Sequence, residues 1–86
     1  MPYYVYILRS QKDNKLYIGQ TANLADRIRR HNEGRVPSTK NRRPLELLYS
    51  EELNDRSSAV NREQYFKSLK SPKYIIDNIV APSSSG

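Results

Sequence analysis

Two short stretches near the start of the chain decide the fold: Tyr3-Tyr4-Val5-Tyr6-Ile7-Leu8 and Lys15-Leu16-Tyr17-Ile18-Gly19. Both are rich in β-branched and aromatic residues, which is typical of strands, and the turn-forming residues 11–14 separate them. The pair therefore predicts a β-hairpin. The first strand is apolar or aromatic on both faces, and this predicts a central position in a sheet.

The turn of this hairpin predicts which residues face each other. With residues 13 and 14 as a two-residue loop, or residues 12–15 as a four-residue loop, Tyr6 would lie opposite Thr21. Side chains alternate between the two faces of a strand with a period of two. Tyr6 and Tyr17 are therefore predicted to share one face of the sheet.

The segment that follows the hairpin predicts a helix with Arg27 and His31 on one side. Asn23 is a suitable N-cap and Gly34 a suitable residue just beyond the C-terminus. On a helical wheel His31 lies within the buried stripe, and Arg27 lies at its edge. These two residues are four apart and therefore stack on one side of the helix.

The remaining pattern predicts one further strand and two helices. Leu45, Leu47 and Tyr49 alternate and predict a third strand, Ala59 to about Leu69 predicts a second helix, and Pro72 opens a short last helix. The order β-β-α-β-α-α predicts an α+β fold, a three-stranded, mostly antiparallel sheet flanked by helices. We expect a single domain over residues 1–80 and a flexible tail over residues 81–86.

Length and composition exclude several classes of protein. Eighty-six residues leave room for one domain, and the absence of cysteine excludes disulfide scaffolds, thiolate zinc sites and cysteine nucleophiles. The longest apolar or tyrosyl run has six residues, whereas a membrane span needs about 20. No secretory signal opens the sequence, so a cytoplasmic location is expected.

Positive charge is concentrated in one part of the chain. Lys and Arg number 15 against nine Asp and Glu, and residues 9–43 alone hold ten basic and three acidic residues. Such a concentration indicates a polyanionic partner such as nucleic acid. The alternative is a basic surface without a dedicated partner.

One carboxylate falls on the apolar side of the second predicted helix. Glu63 lies close to Ala59 and Phe66 on the helical wheel. Burial of a lone carboxylate costs several kcal/mol, so it needs a partner or a solvated cleft. The candidates are Arg27, Arg62, a metal ion or a cation bound with substrate. The structural alternative is an Arg–Glu pair at the edge of the core.

The other candidates also have structural interpretations. An arginine at the edge of a buried stripe often extends its charged end to solvent. A lone histidine on an apolar face is usually a core residue, and tyrosines are more often core residues than catalytic ones. The convergence of two tyrosines, Arg27, His31 and one inward carboxylate favours a functional site.

These residues match a known family in register. The sequence resembles the GIY-YIG nuclease superfamily and, more narrowly, the small stand-alone bacterial proteins of the UPF0213 group, over about residues 3–75. The matching features are Tyr4-Val5-Tyr6, Tyr17-Ile18-Gly19, the Asn23-Leu24 helix start, Arg27, His31, the stretch from Ser38 to Pro44, and Arg62-Glu63.

The resemblance implies an endonuclease that hydrolyses phosphodiester bonds with one divalent metal ion, Mg²⁺ or Mn²⁺. Tyr6 and Tyr17 match the motif tyrosines, one of which helps to deprotonate the attacking water. Arg27 matches the arginine that stabilises phosphoryl charge, His31 a position held by His or Tyr, and Glu63 the metal-ligating glutamate.

The partner implied by the resemblance is nucleic acid, DNA rather than RNA. A basic loop would hold its backbone through Arg35, Lys40, Arg42 and Arg43. A homodimer or a targeting protein is a plausible further partner for so small a domain.

Three positions depart from the family pattern. Tyr4 replaces the first glycine of the family's name, Gln20 stands where some repair nucleases of the family carry lysine, and Asn78 is only a weak match for a late asparagine. These departures keep open a second interpretation, a nucleic-acid-binding module without catalysis.

Overall fold

The computed structural model describes residues 2–80, which form three strands and three helices. These are β1 (Tyr3–Ser10), β2 (Leu16–Thr21), α1 (Leu24–Asn32), β3 (Leu45–Leu53), α2 (Arg56–Leu69) and α3 (Pro72–Ile75). A 3₁₀ turn at Lys40–Arg42 precedes β3, and the π-helical Ile76–Val80 continues α3. The predicted tail lies outside the described residues. Within residues 2–80, no helix has the length and apolar character needed to cross a membrane.

The three strands form one antiparallel sheet in the order β2-β1-β3, as predicted. Val5, Tyr6, Ile7 and Leu8 of the central strand are all buried, because both faces of the sheet are covered. Phe66 of α2 and Ile75 of α3 pack with Val5 and Ile7 on one face. On the other face, Leu24 and Ile28 of α1 pack with Tyr6 and Leu8.

The predicted register of the hairpin is wrong by two residues. Tyr6 lies opposite Gly19 rather than Thr21. The turn closes earlier than expected because the Ser10 hydroxyl accepts hydrogen bonds from the amides of Lys12 and Asp13, while Asn14 adopts a positive φ of 61°. A shift of two residues preserves the face of every side chain, and Tyr6 and Tyr17 do share one face, with ring centroids 6.3 Å apart.

A bulge in β3 changes the faces of its side chains. Ile7 lies opposite Tyr49 and Leu8 opposite Leu47, which leaves Leu48 as the extra residue. Leu45 therefore packs on the α1 face and Tyr49 on the α2 face, although strict alternation would place them together.

Side-chain caps fix where the helices begin. The Asn23 side chain accepts a hydrogen bond from the Asp26 amide at 3.0 Å, and Gly34 ends α1 with a φ of 80°, both as predicted. Asp55 caps α2 by accepting from the Ser58 amide at 2.8 Å. This cap starts α2 at Arg56, before the predicted start.

Candidate nuclease site

The site is built around Tyr6 at the centre of the sheet. Tyr6 is 1% exposed, and its ring lies across the backbone of Gly19 on the neighbouring strand. A Cβ atom at position 19 would lie 2.5 Å from the Tyr6 hydroxyl oxygen and 2.7 Å from Cζ, closer than side chains tolerate. The glycine of the second motif therefore makes room for the tyrosine of the first.

His31 of α1 joins this tyrosine through a buried hydrogen bond. The Tyr6 hydroxyl lies 3.1 Å from His31 Nε2, and the other ring nitrogen, Nδ1, lies 2.8 Å from the hydroxyl of Thr39. Tyr17 packs edge-on against the imidazole, with ring centroids 4.9 Å apart. The structure thus brings Tyr6, Tyr17 and His31 together, and the two tyrosines share one face as predicted.

Burial keeps both hydrogen-bonding partners neutral. It raises the pKa of Tyr6 well above the usual value; the nearby Tyr17 and Glu63 add to this rise and the Arg27 charge opposes it. The pKa of His31 is lowered, first by burial and then by the Arg27 charge. At neutral pH the pair is therefore a phenol and an uncharged imidazole.

Arg27 supplies positive charge to this cluster. Its side chain is half-buried, and within residues 2–80 it makes no hydrogen bond and no ion pair. Arg29 and Arg30 on the same helix both pair with Asp26. Arg27 is thus a guanidinium held near the tyrosine and the histidine with its donors available.

Glu63 is paired with a lysine of its own helix. Its carboxylate lies 2.8 Å from the Lys67 ammonium, and its side chain is 16% exposed, against 51% for Lys67. Of the arginines considered as partners, Arg62 binds Glu51 at 2.9 Å and Arg27 forms no ion pair within residues 2–80, so the structural alternative of an Arg–Glu pair at Glu63 is not found. Glu63 influences the cluster through its charge, which raises the pKa of Tyr6.

The donor set around Glu63 fits a lightly held divalent ion. In the described part of the chain, no three His, Cys, Asp or Glu side chains come together as a metal cage. Mg²⁺ is commonly held by one or two carboxylates together with waters and substrate phosphates, and it needs no cage of protein ligands. A single shielded carboxylate with an exchangeable lysine partner meets that requirement.

The predicted basic loop is exposed and loosely paired. Arg35 binds Glu33 at 3.1 Å, Arg42 lies 3.9 Å from Asp13, and the Arg43 guanidinium donates to the Lys40 carbonyl at 2.9 Å. Lys40 lines a shallow pocket together with Lys12, Asn41 and Arg43. Exposed ion pairs and hydrogen bonds of this kind contribute little free energy, so these cations remain available to bind phosphates.

The three departures from the family pattern lie at different places in the fold. Tyr4 lies on the face that carries Tyr6 and borders a shallow pocket at the start of α1. Gln20 lies opposite Val5, on the face away from Tyr17. The Asn78 amide donates to the Tyr74 carbonyl at 3.0 Å.

Thr39 is the residue at this site that the sequence analysis missed. It is fully buried although its loop neighbours Ser38 and Lys40 are exposed. No periodicity marks it, because residues 35–39 belong to neither a helix nor a strand. The one sequence feature that includes Thr39 is the stretch from Ser38 to Pro44, which contributes to the family resemblance but does not single out this residue.

Comparison with known proteins shows the family to which the chain belongs. Residues 2–75 match the model of the GIY-YIG catalytic domain. UPF0213 protein SH2523 of Staphylococcus haemolyticus is 45% identical over 78% of this chain and 82% of its own, and UPF0213 protein YazA of Bacillus subtilis is 38% identical over 83% and 72%. The solution NMR structure of UPF0213 protein BH0048 from Bacillus halodurans has a TM-score of 0.61 and 28% identity, over 95% of this chain and 89% of its own. The chain therefore belongs to the GIY-YIG family, whose nucleases act on nucleic acid and generally depend on a metal ion.

Proposed function

We propose that this chain is a metal-dependent endonuclease domain that hydrolyses phosphodiester bonds of DNA. The observation that carries the proposal is the buried hydrogen bond of 3.1 Å between Tyr6 and His31, close to the Arg27 charge, which forms no ion pair within residues 2–80. Hydrolysis needs a base for water, a positioned phosphate and positive charge on the phosphoryl oxygens. This constellation supplies all three needs from the residues of one small domain.

Tyr6 and His31 provide a route for the proton of the attacking water. The raised pKa of Tyr6 makes a free phenolate unfavourable at neutral pH. A water proton reaches the Tyr6 oxygen as the phenol proton passes to Nε2 of His31, so no isolated phenolate forms. Tyr17 packs against both rings and limits their movement.

Arg27 binds the phosphate at the bond to be cleaved. Its guanidinium offers a planar set of donors that matches phosphoryl oxygens, and no carboxylate of the described chain competes for it. Its charge lowers the pKa of His31, and a bound phosphodiester offsets that effect. Substrate binding therefore makes the imidazole a better proton acceptor.

Glu63 would hold the metal ion, and Lys67 would move away from the Glu63 carboxylate when the ion binds. A bound divalent ion supplies Lewis-acid polarisation of the phosphoryl group and of a water ligand. The Lys67 side chain is half-exposed and can turn to solvent or to a substrate phosphate. Arg35, Lys40, Arg42 and Arg43 would hold the flanking backbone, with an affinity that falls steeply as salt rises.

Tyr6→Phe tests the observation that carries this proposal. The variant keeps the ring in the core and removes the hydroxyl that reaches His31, so cleavage is expected to slow on the order of 10²-fold. The measurement is single-turnover cleavage of labelled DNA, with Tyr74→Phe, an exposed tyrosine of α3, as the matched control. Equal rates for wild type and Tyr6→Phe would rule out the proposed proton route.

Lys67→Met is expected to tighten metal binding. The substitution keeps an unbranched side chain and removes the ammonium that occupies the Glu63 carboxylate at 2.8 Å. We expect the Kd for Mn²⁺, measured by isothermal titration without DNA, to fall several-fold. Lys73→Met is the control, because Lys73 of α3 forms a more exposed pair of the same length, 2.8 Å, with Asp77 four residues later. An equal effect of both substitutions would show a general loss of positive charge and no competition at Glu63.

Two observations favour a binding module without turnover as the second candidate. Lys67 pairs with Glu63, the proposed metal ligand, and would compete with a metal ion for its carboxylate. Burial raises the pKa of Tyr6, so the proposed base keeps its proton at neutral pH. This candidate predicts salt-sensitive DNA binding and no product with Mg²⁺ or Mn²⁺.

A further inference from the structure

The loop that carries the basic residues also carries one buried hydroxyl. Thr39 is 0% exposed, and its Oγ1 lies 2.8 Å from Nδ1 of His31. His31 is equally buried, and its other nitrogen faces Tyr6. The threonine therefore contacts the proposed proton acceptor on the side away from the reacting phenol.

We propose that Thr39 is a positioning residue that holds His31 with its ring proton on Nδ1, so that Nε2 presents a lone pair to the Tyr6 hydroxyl. Which nitrogen of a neutral imidazole carries the proton is set by the hydrogen bond that the other nitrogen makes. The catalytic use of this tautomer rests on the proposed function, but the tautomer itself does not.

The surroundings of Thr39 allow this direction. Its single hydroxyl hydrogen has two neighbours, Nδ1 of His31 at 2.8 Å and the Val36 carbonyl oxygen at 3.5 Å. A carbonyl oxygen can only accept. When the hydroxyl donates to Val36, its lone pairs face Nδ1, which then must be the donor.

The surroundings of Tyr6 favour the same direction independently. Among residues 2–80, His31 Nε2 is the one partner within hydrogen-bond distance of the Tyr6 hydroxyl. If Nε2 carried the proton, the hydrogen of the Tyr6 hydroxyl would have no acceptor among residues 2–80. Buried donors without acceptors are rare in folded proteins. Donation from Tyr6 to Nε2 satisfies every hydrogen of the chain Tyr6–His31–Thr39–Val36.

This arrangement joins the nucleic-acid-binding loop to the proposed proton acceptor. Thr39 directly precedes the 3₁₀ turn at Lys40–Arg42, and its carbonyl accepts from the Arg42 amide at 2.9 Å. The same loop therefore carries the cations proposed for the DNA backbone and the hydroxyl that sets the imidazole.

The test is the ¹⁵N spectrum of the imidazole in the full, untagged chain. His31 is the single histidine of the sequence, so every ring-nitrogen signal belongs to it. We expect two-bond ¹H–¹⁵N correlations of the wild type to show a protonated Nδ1 and an unprotonated Nε2, which is the minor tautomer of free histidine in water. Thr39→Ser should keep this pattern. Thr39→Val deprives a proton on Nδ1 of its acceptor while Tyr6 still donates to Nε2, so this variant should show a mixture of both tautomers.

Cleavage kinetics provide the second readout. Thr39→Val is expected to lower single-turnover cleavage by about 10- to 100-fold, with rescue by Thr39→Ser, by analogy with the groups that orient metal-ligating histidines. A wild-type spectrum with the proton on Nε2 would overturn the proposal, as would an unchanged tautomer in Thr39→Val. If the valine variant does not fold, the wild-type and serine spectra still decide. Absence of cleavage in the wild type would overturn the proposed function. The ¹⁵N spectra would then decide by themselves whether Thr39 sets the tautomer of His31.

Discussion

Arg27→Ala is expected to slow DNA cleavage by about 10³- to 10⁵-fold, the range found when an arginine that stabilises phosphoryl charge is removed. Its guanidinium makes no ion pair within residues 2–80 and acts on both Tyr6 and His31 through its charge. Removal of that charge leaves the developing negative charge on the phosphoryl oxygens without a fixed partner. The measurement is single-turnover cleavage of labelled DNA at saturating protein.

Arg30→Ala is the matched control for this loss. Arg30 lies on the same helix, is exposed, and pairs with Asp26 at 3.0 Å. Both variants remove one positive charge, so both weaken general attraction to DNA to a similar degree. A rate for Arg27→Ala within threefold of the rate for Arg30→Ala would contradict the role given to Arg27.

Glu63→Gln is expected to remove both metal binding and cleavage. The amide keeps the shape of the side chain on α2 but loses the charge that a divalent ion requires. Metal-ion catalysis contributes several kcal/mol to such reactions, so the expected loss of rate is roughly 10³-fold or more. The measurements are Mn²⁺ titration without DNA and cleavage with saturating Mg²⁺.

Glu52→Gln is the control for the glutamate variant. Glu52 is an exposed residue of β3 and carries the same charge. The circular dichroism spectrum and melting temperature of Glu63→Gln should stay close to wild type, since the neutral amide loses the ion pair and also the cost of burying a charge, and Lys67 is half-exposed. Normal Mn²⁺ affinity in Glu63→Gln would show that the metal ligand lies elsewhere.

The shared face of the two motif tyrosines could be predicted from sequence because it depends only on the parity of the register. Tyr6 and Tyr17 share a face for any shift by an even number of residues. The register itself could not be predicted, since it depends on the Ser10 hydroxyl accepting from two turn amides. That contact requires the folded turn.

The bulge in β3 could not be predicted from the alternation of apolar residues. The alternation of Leu45, Leu47 and Tyr49 correctly predicted a strand. The extra residue at Leu48, which moves Tyr49 to the other face, is decided by packing on both sides of the sheet.

The two contacts that complete the site differ in how far sequence could have revealed them. The pair between Glu63 and Lys67 follows the four-residue spacing that favours ion pairs on a helix, so the signal was present in the sequence. The contact between Thr39 and His31 joins a loop of irregular structure to a helix, and no periodic pattern predicts it.

The measurement that tests the central claim most directly is cleavage of labelled linear and branched DNA, with matched RNA, in Mg²⁺, in Mn²⁺ and in EDTA. Wild type and Glu63→Ala are purified side by side, so that a contaminating nuclease is detected. We predict cleavage of DNA by the wild type with either metal ion, none in EDTA and none by Glu63→Ala. Equal cleavage by the two proteins, or salt-sensitive DNA binding by the wild type with no product under any condition, would contradict the account.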